Sequence, residues 1–149
     1  MPPIPVKPGI YKVHTHLIGP GMLVTATEHA VKHGAPLIVD RPYPVPFEQE
    51  WAVVPAEPVP GSPYVFHLAY EDRAGIVIAE DKIWVNNVPR EEWAKFTFEK
   101  VIGGVKILSD KGLAWRAPHR GAQTELVPPK PEFQETWTLE FIRPVEGTE

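Results

Sequence analysis

Short apolar runs recur along the chain, and clusters of Gly, Pro, Asn and Asp separate them. Within several runs, apolar and polar residues alternate, which is typical of a β-strand with one buried face. No stretch shows the periodicity of an amphipathic helix. The pattern therefore predicts an all-β protein made of short strands and turns. The predicted strands lie at residues 10–13, 22–25, 36–39, 50–54, 64–68, 75–78, 82–85, 94–98, 104–108, 113–116, 124–127 and 137–142.

Three tryptophans divide these strands into similar units. Each follows two polar residues, in Gln49-Glu50-Trp51, Glu91-Glu92-Trp93 and Glu135-Thr136-Trp137, and the tryptophans lie 42 and 44 residues apart. We expect each triplet to open the last of four strands in its unit. Three four-stranded units, each giving two strands to a closed barrel and two to a cap, predict a β-trefoil. The alternative is another all-β barrel in which the three tryptophans are unrelated core residues.

Length and composition fit one domain over residues 1–149, with repeats at about 8–60, 61–100 and 101–144. The chain has 149 residues, of which 43% are hydrophobic, as in ordinary globular proteins. Its 19 prolines exclude an all-helical fold, because each removes a backbone donor and fixes φ. The absence of cysteine excludes disulfides, thiolate zinc sites and a cysteine nucleophile.

Net charge and hydropathy limit the classes of partner that the protein can have. A net charge of -4 and a pI near 5.9 lack the basic surface that a nucleic-acid partner requires. The N-terminal residues lack the apolar region of a secretory signal, and no run approaches the length of a membrane span. We therefore expect a cytoplasmic monomer that binds neither nucleic acid nor membranes.

The sequence offers little for catalysis, so we expect no enzyme, no metal site and no cofactor. Both serines, Ser62 and Ser109, lie in predicted turns, and no phosphate-binding glycine loop occurs. Adjacent carboxylates such as Glu71-Asp72 are typical of solvated turns. Two histidine pairs lack the third ligand that a zinc site needs. These pairs are His14 with His16 and His29 with His33.

Function is then expected in loops on a rigid scaffold. Three connections stand out: the polar residues 26–34, the proline-rich residues 41–47, and residues 128–133, where Lys130 lies between prolines. Proline restriction lowers the entropy lost when such a loop docks on a protein. The alternative is that the prolines only shorten and protect surface connections.

The framework resembles that of a known family. The matching segments run from Pro8-Gly9-Ile10-Tyr11-Lys12-Val13 through the three tryptophan triplets, Lys82-Ile83-Trp84-Val85 and Gly112-Leu113-Ala114-Trp115, to Trp137-Thr138-Leu139-Glu140-Phe141-Ile142-Arg143. This pattern is similar to the mushroom (basidiomycete) serine protease inhibitors of the cospin type. The resemblance implies a fungal β-trefoil inhibitor of trypsin-like serine proteases. Related fungal trefoils that inhibit papain-like cysteine proteases share the framework and remain an alternative.

The resemblance implies two positions for the protease-binding loop. One is the connection between strands two and three, at residues 26–34. The other is the connection before the last strand, at residues 128–133. For an acidic specificity pocket, Lys32 is the natural occupant of the first loop, and Thr27 takes the pocket if the early residues engage. Candidate contacts are Ala26, Thr27, Glu28, His29, Lys32 and His33 in the first loop, and Pro129, Lys130 and Pro131 in the second.

A carbohydrate-binding trefoil is the alternative from another functional class. Ricin-type lectins carry a Gln-x-Trp triplet in each unit, whereas this chain has only Gln49-Glu50-Trp51. The tryptophans are therefore expected to fill the barrel, with their indole N–H groups bonded to buried partners.

Overall fold

The computed structural model describes residues 3–15, 21–27, 34–45, 47–130 and 133–145. Within them it contains thirteen β-strands and two short 3-10 turns, at Arg90–Glu92 and Phe133–Glu135. The strands are β1 (Pro3–Ile4), β2 (Gly9–Thr15), β3 (Met22–Ala26), β4 (Ala35–Asp40), β5 (Trp51–Pro55), β6 (Tyr64–Leu68), β7 (Glu71–Ala79), β8 (Lys82–Asn87), β9 (Phe96–Val101), β10 (Gly104–Ser109), β11 (Ala114–Arg116), β12 (Glu125–Val127) and β13 (Trp137–Arg143). All twelve predicted strands are confirmed, and β1 is the addition.

Six of these strands close into a barrel. Antiparallel pairing runs from β2 to β5, β6, β9, β10 and β13, and from β13 back to β2. Closing the ring pairs strands from the two ends of the sequence and leaves the barrel without a free edge.

The other strands form three hairpins that cap the barrel: β3–β4, β7–β8 and β11–β12. The hairpins join one another, since β4 and β12 both pair with β8. Each unit thus gives two strands to the barrel and two to the cap. The fold is a β-trefoil, as the sequence predicts.

Aromatic side chains fill the barrel, and pairing registers show which positions correspond between units. Trp51 opens β5 opposite Tyr11, Phe96 opens β9 opposite Tyr64, and Trp137 opens β13 opposite Val105. Trp51, Phe96 and Trp137 are completely buried. Three large aromatic rings at equivalent positions therefore build the centre of the core.

The expectation that Trp93 opens the last strand of the second unit is wrong. That strand begins at Phe96, and Trp93 follows the 3-10 turn three residues earlier. Its ring packs with Val54 and Val65 in a separate, smaller cluster. Phe96 occupies the barrel position because the short turn places Trp93 before β9 and outside the barrel.

Buried hydrogen bonds repeat the same symmetry. The Trp51 indole donates to the Val24 carbonyl at 3.0 Å, and the Trp137 indole donates to the Trp115 carbonyl at 3.2 Å. In the second unit the Phe96 side chain has no N–H group. The backbone N–H of Ala94 donates to the Ile76 carbonyl at 2.9 Å instead. Buried carbonyls on the second strand of each unit are thus satisfied by two different means.

Across the described residues, no helix is long and apolar enough to cross a membrane.

Replacing Phe96 by alanine tests the equivalence of the three barrel aromatics. We expect Phe96→Ala to lower the free energy of unfolding by about 3–5 kcal/mol, because it opens a cavity in the barrel. Phe141→Ala is the control, since that ring is 40% exposed. Chemical denaturation measures both, and equal losses for the two variants would contradict the assignment.

Candidate functional site

The first predicted loop leaves the cap between β3 and β4. Of its six predicted contact residues, the structure describes Ala26 and Thr27, whereas Glu28, His29, Lys32 and His33 lie outside the described residues. Ala26 is buried and pairs with Leu37 across the hairpin. Thr27 is exposed, and its hydroxyl donates to the Pro36 carbonyl at 3.2 Å. We call this base, formed by residues 25–27 and 35–37, the loop neck.

A second segment, residues 48–51, fixes the neck from the side. The Ala26 N–H donates to the Glu48 carbonyl at 2.9 Å, next to the bond from the Trp51 indole to Val24. The Gln49 side-chain Nε2 donates to the Thr25 hydroxyl at 3.1 Å. Thr25 and Gln49 are almost completely buried. Backbone and side-chain bonds therefore hold the last three residues of β3, where the loop begins.

Gln49 also fixes the proline-rich segment that follows β4. Its Oε1 accepts the Tyr43 N–H at 2.8 Å, and its Nε2 donates to the Arg41 carbonyl at 2.8 Å. Asp40 Oδ1 accepts the Arg41 N–H at 2.8 Å and the Arg120 Nε–H at 3.0 Å. One amide side chain thus joins β3, the strand before the predicted loop, to the segment that follows β4.

The electrostatics of this segment keep Asp40 charged and Tyr43 protonated. Burial alone would raise the pKa of Asp40, but hydrogen bonds from Tyr43, Arg41 and Arg120 outweigh it and hold this pKa below its ordinary value. Burial, then the hydrogen bond to Asp40, raises the pKa of Tyr43 to about 12. The Tyr43 hydroxyl therefore remains a donor to Asp40 Oδ2, at 2.7 Å, throughout the neutral range.

The second predicted loop is held by a buried ion pair. Lys106 Nζ lies 3.0 Å from Glu135 Oε1, and the two residues are 8% and 0% exposed. Glu135 Oε1 accepts the Lys130 N–H at 2.6 Å, and Lys106 Nζ donates to the Lys130 carbonyl. Pro129 and Lys130 are exposed, whereas Pro131 lies outside the described residues.

These hydrogen bonds determine which groups of Lys130 are available to a protease. A substrate-like residue presents its carbonyl to the oxyanion hole of a serine protease. Both backbone polar groups of Lys130 are bonded to the buried pair, so only its side chain faces solvent.

Three residues that organise these loops were not among the predicted site residues: Gln49, Lys106 and Glu135. Gln49 and Glu135 occupy the same position, two residues before a barrel tryptophan, and the second unit has Ala94 there. The signal in the sequence is a polar residue two positions before a barrel tryptophan. Lys106 interrupts the apolar strand Gly104–Ser109, which is a second signal.

The histidines and serines considered in the sequence make separate contacts in the part of the chain that the structure describes. Within the described ranges, no group of three His, Asp or Glu side chains could hold a metal ion. His14 pairs with Glu140, with Nε2 and Oε1 2.6 Å apart. The Ser62 hydroxyl donates to the Pro63 carbonyl at 2.8 Å, in the turn that the sequence predicts.

A groove of about 490 Å³ lies beside Trp93. Burial lowers the pKa of His67, only partly offset by its hydrogen bond to Leu68 and by the charge of Asp72. The ring is therefore neutral near pH 7. Because the Leu68 carbonyl can only accept, Nδ1 carries the proton in that 2.8 Å bond and leaves Nε2 as an acceptor. The groove is lined by His67, Asp72, Arg73, Asn87, Val88, Pro89, Arg90 and Trp93.

Solved structures share this fold at low sequence identity. A designed three-fold symmetric protein, ThreeFoil, has a TM-score of 0.73 at 14% identity, over 90% of this chain and 99% of its own. The Rhizoctonia solani agglutinin has a TM-score of 0.73 at 10% identity, over 95% and 100%. A proteinase inhibitor from Coprinopsis cinerea has a TM-score of 0.68 at 16% identity, over 93% and 100%.

The comparisons support the β-trefoil fold. Proteins with this fold include both the proteinase inhibitor and an earthworm R-type lectin half in complex with GalNAc. No protein-family model matches the chain, and no curated protein matches it.

The buried ion pair predicts a non-additive effect of mutation. Lys106→Met and Glu135→Leu should each lower the free energy of unfolding by about 3–5 kcal/mol, because each leaves a buried charge without its partner. The double variant should cost clearly less than the two single losses together. Guanidinium denaturation measures all three, and strictly additive losses would contradict the described pair.

Proposed function

We propose that this chain inhibits trypsin-like serine proteases with a substrate-like loop at residues 26–34. The observation that carries the proposal is the loop neck, where Ala26 is bonded to Glu48 and Thr27 to Pro36. An inhibitor needs a loop whose base keeps its shape after docking, since the cleft then binds it with little loss of entropy. The neighbouring Coprinopsis cinerea proteinase inhibitor agrees with this function.

In this mechanism, Lys32 enters the acidic specificity pocket of the protease. A lysine ammonium is a compact charge that such a pocket accepts, and a single anchoring side chain often dominates binding. The catalytic serine attacks the bond after Lys32, while the barrel and cap hold both ends of the loop in place. The new amine end therefore stays near the acyl-enzyme, so resynthesis competes with release and the protease stays occupied.

The neck favours Lys32 over Thr27 as the pocket residue, because Thr27 already bonds across the hairpin. The first loop is also favoured over the second. Using Lys130 as the substrate-like residue would require its carbonyl to leave Lys106 and its N–H to leave Glu135. Breaking hydrogen bonds to buried charged groups is costly. Lys130 is also followed by Pro131, which restricts its backbone.

Saccharide binding is the second candidate function, and the groove beside Trp93 favours it. This groove combines an aromatic wall with donors from Arg73 and Asn87 and acceptors from Asp72 and His67. Polar groups around an aromatic side chain are typical of a small-molecule site. Immobilised sugars test this candidate: retention that free sugar reverses, and that Asn87→Ala abolishes, with trypsin activity untouched, would replace the inhibitor assignment.

Inhibition assays with trypsin, chymotrypsin, subtilisin and papain test the proposal. We expect wild type to inhibit trypsin, and Lys32→Ala to weaken that inhibition by about 100-fold or more, because the pocket loses its charged occupant. Lys32→Arg is the matched control and should inhibit as wild type does. Lys130→Ala should change inhibition by less than about threefold. Thr27→Ala removes the bond to Pro36 at the neck and should weaken inhibition, but by less than Lys32→Ala does.

Each other outcome has a definite meaning. Wild-type protein that leaves every serine protease active would reject the proposal. Inhibition of papain alone would favour the cysteine-protease alternative. Loss of inhibition only in Lys130→Ala would keep the function and move it to the second loop. Melting curves of all variants show that each remains folded.

A further inference from the structure

We infer that Gln49 is a positioning residue for the inhibitory loop at residues 26–34. The inference rests on the proposed function and adds a residue outside the loop to it. Gln49 is only 2% exposed, so it does not itself reach a protease. Its effect must pass through the groups to which it bonds.

The first step is the free edge of β3. This strand pairs with β2 only at its start, through Met22 and Leu23. Beyond that point, residues 48–51 take the place of a neighbouring strand. They satisfy the Ala26 N–H and the Val24 carbonyl, and they reach the Thr25 hydroxyl between them. The segment that holds the neck is thus a turn and needs its own support.

The second step is that Gln49 supplies this support. The Gln49 amide makes three hydrogen bonds inside the protein. Oε1 accepts from the Tyr43 N–H, and Nε2 donates to the Arg41 carbonyl and to the Thr25 hydroxyl. These contacts fasten the turn to β3 on one side and to the proline-rich segment after β4 on the other. The bond to Thr25 fixes β3 one residue before Ala26, where the chain enters the loop, whereas Arg41 and Tyr43 follow the end of β4 that lies away from the loop.

The effect of Gln49 on the neck differs from a general effect on the stability of the fold. Glu135 occupies the equivalent position and fixes a different loop, through Lys130. Gln49 likewise bonds to the connection that precedes its tryptophan, at Arg41 and Tyr43, and it bonds in addition to Thr25 in the neck. Gln49 is expected to affect residues 25–27 specifically, whereas a core residue of another unit affects the barrel as a whole.

Two variants and one control test the inference. Gln49→Met removes all three bonds at similar side-chain size. Thr25→Val removes the link from Gln49 to β3, together with the bond that the Thr25 hydroxyl donates to the Leu23 carbonyl. Ile107→Val, in the core of the third unit, lowers stability without touching the neck. The readouts are the trypsin inhibition constant, the rate at which trypsin cleaves the loop, and amide hydrogen exchange at Ala26 in the free protein.

We expect Gln49→Met to raise the inhibition constant and the cleavage rate by about tenfold or more, since a less ordered loop binds less well and is cleaved as a substrate. Thr25→Val should change both in the same direction. Exchange at Ala26 should accelerate in both variants and stay unchanged in Ile107→Val. Equal inhibition by wild type and Gln49→Met, or an equal weakening by Ile107→Val, would overturn the inference.

The hydrogen-exchange measurement separates this inference from the proposed function. If wild type inhibits no protease, the proposed function fails. If wild type inhibits while Ala26 exchanges equally fast in wild type and Gln49→Met, only the positioning role fails.

Discussion

The pairing of the last strand with the first strand of the barrel is the constraint on which the rest of the structure depends. β13 pairs with β2 from Trp137 opposite Thr15 to Arg143 opposite Ile10, with a bulge near the end. This long-range pairing closes the ring, and the chain has no cysteine that could restrain it covalently. Packing of the buried rings must therefore supply the stiffness. Ring closure also fixes β2, and β2 fixes the start of β3, from which the proposed inhibitory loop emerges.

The three units perform the same task in the barrel and differ where they meet solvent. Each places a large aromatic ring at the start of its last barrel strand, and two of them place a buried polar residue two positions earlier. A neutral amide suffices in the first unit, because Gln49 both donates and accepts. In the third unit Glu135 can only accept, so Lys106 completes the contact by donating to the loop carbonyl. The second unit has Ala94 there and a short 3-10 turn. The same barrel geometry thus supports three connections before the last barrel strands, and each connection is held by different contacts.

Local patterns in the sequence predict the strands well and the tertiary contacts poorly. Short apolar runs between turn residues place all twelve predicted strands, and in several of them one buried face imposes an alternation of apolar and polar residues. The sequence pattern did not place Phe96 in the barrel, since Trp93 has the larger ring and follows two polar residues, as Trp51 and Trp137 do. Only the pairing of Phe96 with Tyr64 distinguishes them. The roles of Gln49, Lys106 and Glu135 depend on residues 5 to 29 positions away, so no local pattern reveals their partners.

The central claim is that the loop at residues 26–34 is recognised as a substrate yet held in place by the fold. Prolonged incubation with a catalytic amount of trypsin, followed by intact-mass spectrometry and gel filtration, tests this most directly. We predict one cleavage, between Lys32 and His33, in a protein whose two fragments stay associated and still inhibit. Cleavage at many lysines and arginines, or at one bond elsewhere with the inhibitory activity retained, would contradict it.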